Sequence, residues 1–226
     1  MKGEPASRLS QIRVTRSDSR IYLASRSPRR RELLEQIGIA FEVLPMRGGL
    51  HHDVDVDETP LAGEAPVAYV ARIAQTKAEL GWRQVVMRSL PASPVLAADT
   101  AVALGGEIIG KPDNAEHARQ LLQRLSGQTH QVLTAVAVAR GERIETALST
   151  SAVEFRKLEA DEIRRYVASG EPLDKAGAYA IQGRAAMFVR AIAGSYSGIM
   201  GLPLYETAEL LRRFDITPLG TAWRPA

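Results

Sequence analysis

Short runs of consecutive apolar residues alternate along this chain with stretches where apolar residues recur every three or four positions. The first run, residues 21–24, reads as a buried strand, and Leu33, Leu34 and Ile37 share one face of a helix over 28–37 that Gly38 stops. Ser27 stands at the N-cap position and Pro28 at the first helical position. A strand over 41–44, the acidic loop HHDVDVDETPLAGEAP and a helix over 67–80 follow, the helix with Val70, Ile73, Ala74 and Lys77 in step. SLPASP then leads into VLAAD, whose continuous apolar run suits a strand covered on both faces and puts Asp99 and Thr100 at that strand's carboxyl end.

AVAL, Gly105-Gly106 and EII pattern as a separate hairpin closed by Pro112. Asp113 is placed to cap a helix bearing Ala118, Leu121, Leu122 and Leu125 that ends near Gly127. Strands over 131–139 and 144–155 and a helix over 159–168 come next. GEPLDKAGAYAIQGR reads as an ordered loop without a long apolar face, 186–192 as a strand, and GSYSGIMGLP as a turn. Pro203 opens a last helix carrying Leu204, Ala208 and Leu211. Mixed in this order, the elements predict an α/β fold, a twisted mixed β-sheet with helices on both faces. One domain over 20–215 is expected, with tails at 1–19 and 216–226.

Composition narrows the function more than the fold. The 226 residues are 45% apolar and 24% charged, ordinary globular values, and Lys plus Arg (29) exceed Asp plus Glu (26) by only 3. That balance argues for local basic clusters, not a nucleic-acid-binding face. Cysteine is absent, which removes disulfides, thiolate nucleophiles and Cys-based zinc sites and fits a reducing compartment. The first 19 residues lack the apolar run of a signal peptide, and no apolar stretch is long enough for a membrane span. A cytoplasmic protein without a membrane partner is expected.

The sharpest anomaly is SRSPRRREL. A helix N-terminus carries positive partial charge, so each cation in its first turn costs about 0.3–1 kcal/mol. Two serines, free helix N–H groups, Arg29 and Arg30 converge there, as a polyphosphate site requires, while Arg31 is left facing solvent. In AADT, Asp99 can act as general base or hold a divalent metal that bridges phosphates. GGEIIGKP matches G-x-x-x-x-G-K, but Pro112 replaces the Ser or Thr that would bind Mg2+, so a P-loop is rejected and Lys111 remains as a lone phosphate ligand.

The alternation of His51, Asp53, Asp55 and Asp57 suits a transition metal less well than one or two carboxylates suit Mg2+. His117 and His130 are read as structural. In DKAGAYAIQG, the glycines let the backbone approach a ligand, and Lys175, Tyr179 and Gln182 are base-recognition candidates. The Gln182 amide can donate and accept at a pyrimidine edge.

Six ordered segments then fit one family. LASRSPRRRELL, ARIAQTKA, VLAADTAVAL, GKPDNAEHARQLLQRLSGQTHQVLTAVAV, YVASGEPLDKAGAYAIQG and GSYSGIMGLPLYET together resemble the Maf family of nucleoside triphosphate pyrophosphatases over about residues 21–213. The last two segments are similar to its dTTP/UTP-hydrolysing branch. That resemblance implies two lobes around a nucleotide-binding cleft, and cleavage of dTTP or UTP, or modified pyrimidine triphosphates, to the monophosphate and pyrophosphate. It implies Asp99 as proton acceptor, and Arg29, Thr100 and Gln182 as the residues that set substrate choice. Ser25, Ser27, Arg30, Lys77 and Lys111 would line the phosphate site. Glu58, with Asp99, would hold a divalent cation, Mg2+ or Mn2+. MRGGLHHDVDVDE is longer than the family's usual connection before that glutamate.

The expected partner is thus a nucleoside triphosphate, in a chain that also suits a homodimer. A role in arresting cell division is compatible with this activity. The rival reading keeps the phosphate pocket but not the catalysis, making the chain a nucleotide-sensing septum inhibitor. A second rival, an RNA- or DNA-binding protein, predicts steeply salt-dependent polynucleotide affinity and lacks its aromatic-basic strand signature.

Overall fold

The computed structural model describes residues 20–44 and 56–219. The tail over 1–19, most of the long connection before Glu58, and His51, Asp53 and Asp55 lie outside the described residues. In chain order the elements are β1 (Arg20–Leu23), α1 (Pro28–Gln36), β2 (Ala40–Val43), α2 (Pro66–Met87), β3 (Val95–Leu104), β4 (Glu107–Ile109) and α3 (Ala115–Leu125). After them come β5 (Thr129–Arg140), β6 (Arg143–Phe155), α4 (Ala160–Ala168), β7 (Val189–Ala193), α5 (Tyr196–Met200) and α6 (Leu204–Arg212), with 3-10 turns at Ala176–Ala178 and Arg184–Phe188. The strands form one mixed sheet in the order β2-β1-β3-β5-β6-β7, with β4 paired to β3.

Strand alternation divides the apolar residues between two faces. Tyr22, Ala24, Val95, Ala97 and Ala101 face α2, packing on Val70, Ile73, Ala74 and Ala78. Ile21, Leu23, Leu96, Ala98, Val136 and Val138 face the other way, against α1 and α6. The α2 side is lined largely by alanine, so the helix sits close to the sheet. At Gly81 an added Cβ would come within 2.7 Å of a Val95 methyl. A third cluster joins α3 and α4 to the far end of the sheet and to the 3-10 turns. No helix among the described residues is long and apolar enough to cross a membrane.

Several elements differ from what the pattern predicts. β3 is continuous from Val95 to Leu104, so Asp99 and Thr100 sit in mid-strand and the following hairpin grows out of the same strand. α2 runs to Met87, because Val85 on its last turns is buried too. Asn114, not Asp113, caps α3, accepting from the His117 N–H, while the Asp113 carboxylate pairs with His117 Nδ1. GSYSGIMGLP contains a short helix, α5, capped by the Ser195 hydroxyl. The segment over 171–185 buries Ala178, Tyr179, Ala180 and Ile181, and β7 begins only at Val189.

His130 is structural, as expected: it is 1% exposed, its Nε2 lies 2.9 Å from the Tyr179 hydroxyl, and Phe155 meets its ring edge-on. Burial pushes the imidazole pKa down to about 4. Below the unfolded value near 6.5 the unfolded chain therefore takes up a proton that the folded chain refuses, and stability falls with pH. About 2 kcal/mol should be lost from this group between pH 7.5 and 5. Urea unfolding across that window should show the slope in the native protein and a flatter one in His130→Gln, whatever that variant's absolute stability.

Candidate active site

β3 has β5 along one edge from Val95 to Ala103. Along its other edge, β1 pairs only at Val95 and Leu96, and β4 pairs only from Val102 onward. Among the described residues no strand covers Ala97–Ala101 on that side. β1 stops there because the chain turns at Ala24–Ser27 into α1. The Ser25 hydroxyl accepts the Ser27 N–H at 3.2 Å, and Pro28 takes the first helical position. A cleft of roughly 440 Å³ opens at this gap, with the α1 N-terminus on one side and β4 with the segment over 174–182 on the other.

Because neighbouring residues of a strand point to opposite faces, Asp99 and Thr100 enter the cleft around the two sides of the bare edge. Asp99 is on the α2 side. There the Lys77 ammonium, 3% exposed, lies 2.9 Å from Asp99 Oδ1 and 2.5 Å from Glu58 Oε1. Burial opposes the charge on Lys77, but the Asp99 and Glu58 carboxylates outweigh it, so its pKa stands above the ordinary lysine value. Burial likewise opposes the charge on Glu58, and Lys77 overcomes it, holding that carboxyl below its usual range.

Glu58 is itself placed by α2. The Tyr69 hydroxyl donates to the Glu58 carbonyl at 2.9 Å, and Arg72 grips Glu64 and the Thr59 carbonyl. Lys111, mostly exposed at the end of the β4 hairpin, reaches to 3.9 Å from Glu58 Oε2.

On the other side, Thr100 meets Thr134, its partner across β5, at 2.9 Å between hydroxyl oxygens. Val102, two residues on, packs under Gly177, whose φ of +68° and 2.9 Å approach to a Val102 methyl admit no side chain. The Gly177 N–H also binds the Gly110 carbonyl at 3.0 Å, which ties this segment to β4. Gln182 is exposed at the tip of a turn closed by the Gly183 N–H on the Ala180 carbonyl. Glu171 clamps that turn from behind, accepting from the Tyr166 hydroxyl and the Arg184 N–H. Val102, Val132, Ile181, Ile199 and Met200 give this side an apolar wall.

Of the sequence-predicted residues, Ser27, Arg29, Arg30, Glu58, Lys77, Asp99, Thr100, Lys111 and Gln182 all line the cleft. Ser25 stands behind the wall, where its hydroxyl accepts from Arg30 as well as from Ser27. Arg30 is buried, not dangling at the helix end: its Nε donates to the Gly201 carbonyl at 2.9 Å and its Nη1 to Ser25 at 3.1 Å. Arg31 is half-buried and not solvent-facing, with Nη2 3.4 Å from the Arg26 carbonyl.

Ser27 occupies the N-cap position, but its side chain makes no cap bond. Tyr179 lines the cleft while its hydroxyl turns away to His130, and Lys175 is engaged by Asp174 and the Glu171 carbonyl. Thr134, Arg26, Asp174 and the apolar wall were not anticipated. The one signal for Thr134 is a hydroxyl interrupting the otherwise apolar VLTAVAVA.

The metal question turns on the donor set. Among the described residues no three His, Cys, Asp or Glu side chains converge, so an all-protein cage is absent there. Glu58 and Asp99 supply two hard oxygen donors on one side of a cation-lined cleft, and Mg2+-like ions commonly take one or two carboxylates and complete their shell with phosphate and water. The residues present fit a cation that arrives with a polyphosphate.

The model of the family described as Maf-like protein matches residues 20–214. The chain is similar to a dTTP/UTP pyrophosphatase from Aromatoleum aromaticum, 61% identical over 87% of this chain and 96% of that protein. It is also similar to one from Dechloromonas aromatica, 58% identical over 88% and 100% respectively. Among solved structures, the Staphylococcus aureus Ham1 protein aligns with a TM-score of 0.42 at 18% identity, over 60% of this chain and 71% of that one.

Proposed function

The chain belongs to the Maf family, and on that premise we propose that it hydrolyses dTTP and UTP to the nucleoside monophosphate and pyrophosphate. The observation that carries the reading is the Glu58–Lys77–Asp99 cluster at the bare edge of β3, facing the α1 N-terminus across one cleft. Asp99 is held through Oδ1 by Lys77, and its carboxylate takes the proton of the attacking water. The water oxygen joins the α-phosphorus, its bond to the α–β bridging oxygen breaks, and pyrophosphate leaves with that oxygen and the bond's electrons.

The α1 N–H groups, Ser27, Arg30, Lys77 and Lys111 bind the phosphates, and Ser25 acts through Arg30. Arg29, Thr100 and Gln182 discriminate among nucleosides. Glu58 and Asp99 would hold a divalent cation, Mg2+ or Mn2+, which neutralises phosphate charge and polarises the anhydride when bound. Free cytoplasmic nucleotides are the substrate pool on this reading, and modified pyrimidine triphosphates fit the same cleft.

The test is a panel of nucleoside triphosphates assayed for pyrophosphate and orthophosphate with Mg2+ or Mn2+ and with chelator. Pyrophosphate release from dTTP and UTP, lost on chelation, is expected. Tight binding without turnover would leave the sensor reading instead, and orthophosphate as the first product would overturn cleavage at the α–β bridge.

A further inference from the structure

Thr134 is 0% exposed and lies in mid-strand, yet its hydroxyl belongs to a directed chain. Thr134 Oγ1 donates to the Gly198 carbonyl at 2.7 Å, which uses the one proton that hydroxyl owns. At the 2.9 Å contact between the two threonines the donor must therefore be Thr100. With its own proton spent on Thr134, Thr100 presents only lone pairs to the cleft. Ordinarily a threonine hydroxyl rotates to donate or accept as its partner requires; here the protein has chosen for it.

The carbonyl that sets this polarity is itself fixed. α5 rests on a row of sheet hydroxyls: the Ser195 N–H donates to Ser151 Oγ at 2.9 Å, and Ser195 caps the helix through the Gly198 N–H at 3.0 Å. Gly201, with φ +116°, lies beside it: a Cβ there would be in ordinary contact, 3.5 Å from Thr100 Oγ1. The Thr100 hydroxyl is thus partly buried between Thr134 and Gly201.

An acceptor that cannot donate is a poor neighbour for a phosphate, whose oxygens are acceptors too. The cluster of Asp99, Glu58 and Lys77 lies on the opposite side of β3, whereas the Thr100 side is bordered by Arg30, anchored on Gly201, and continues into the apolar wall of Val102, Val132 and Ile199. A flat base suits that wall. Thymine and uracil carry a donor, N3–H, where cytosine carries a bare N3 acceptor.

We infer that Thr134 is a positioning residue for specificity: by taking the Thr100 proton it fixes Thr100 as an acceptor for the N3–H of thymine or uracil and sets it against cytosine. This rests on the assignment of pyrimidine triphosphates to the cleft, and a wild-type protein that hydrolyses neither dTTP nor UTP would remove that assignment and not only this one.

The experiment compares kcat/KM for dTTP and dCTP in the wild type, Thr134→Val and Thr134→Ser. Valine keeps the shape and frees the Thr100 hydroxyl to turn and donate to N3 of cytosine. The dTTP-to-dCTP preference should then fall about tenfold, the order of one hydrogen bond exchanged for a clash of lone pairs. Serine, which restores the relay, should return the wild-type ratio. An equal loss for both nucleotides in Thr134→Val would mean that Thr134 only supports α5 or serves the sugar, and would overturn the proposal.

A second measurement needs no variant. Wild-type protein should turn over N3-methyl-dTTP and dCTP at least about tenfold less efficiently than dTTP. Equal use of dTTP and either competitor would show that the N3 position is not read.

Discussion

Asp99→Asn is expected to lower kcat for dTTP by about 10²–10⁴-fold, the range that a positioned general base contributes. Asparagine preserves the shape in a position that is 8% exposed and still offers its carbonyl oxygen to Lys77, so the fold and the neighbouring ammonium should stay in place. It also removes a negative charge from a cleft that must accept a polyanion. Equilibrium binding of dTTP should therefore be retained or tightened while pyrophosphate release collapses. That split separates a catalytic role from a structural one, because a misfolded site would lose both together. Turnover within a few-fold of the native rate would take Asp99 out of the chemistry.

Lys77→Met should have the other large effect, on stability as well as on rate. The methionine chain fills the lysine's path but leaves Asp99 and Glu58 facing each other without the cation that lies 2.9 and 2.5 Å from them. Removing one partner from a buried ionic group costs about 3–5 kcal/mol, and the 37% exposure of the Glu58 side chain argues for the lower end. The sign of the pH dependence is a further check. In the native protein the Glu58 pKa is lowered, so its contribution is present above the unfolded value and lost as pH falls through the folded one. In Lys77→Met, Glu58 loses the cation that lowered its pKa and faces the Asp99 carboxylate instead, so its folded value rises and its protonation relieves the repulsion.

The stability gap between the two proteins should consequently narrow as pH is lowered from 7 toward 4 in urea unfolding. Adding Asp99→Asn should recover part of the loss at pH 7, because the remaining carboxylate no longer has a charged neighbour. Equal stability of native protein and Lys77→Met at pH 7 would show that the ammonium is dispensable to the fold.

Much of this arrangement was legible in the chain, for local reasons. Ser27, Pro28 and the apolar spacing behind them mark a helix start wherever they occur, and Gly105-Gly106 marks a two-residue hairpin turn, with φ values of +60° and +85° as that turn requires. Asp99 stood out because a carboxylate directly after a buried apolar run reads as the carboxyl edge of a sheet, where open α/β folds place their ligands. What stayed hidden depends on where other segments end. VLAADTAVAL looks like two elements because Asp99 and Thr100 interrupt its apolar run, yet β5 pairs with it without a break. The polar pair is tolerated there because β1 has already left the opposite edge, which no periodicity in β3 can reveal.

How Arg30 is anchored stayed hidden for a related reason. Its anchors, Ser25 and Gly201, lie five and 171 residues away, and only the nearer one is visible in the sequence. Thr134 took its meaning from Gly198, 64 residues on, and from a helix that the glycine-rich sequence around it disguised as a turn.

The short reach of β1 also bears on how the molecule avoids associating wrongly. An uncovered strand edge is a template on which a foreign strand can add, and sheets usually protect such edges with charge or by keeping them short. Here the open stretch, Ala97–Ala101, is bounded by β1 at one end and β4 at the other, with Lys77 and Arg30 buried beside it. An intruding segment would have to enter between these ends and desolvate cations on its way. The same boundaries that make room for a substrate therefore act as gatekeepers against self-assembly, and a substitution that neutralises them should be judged for solubility as well as for rate.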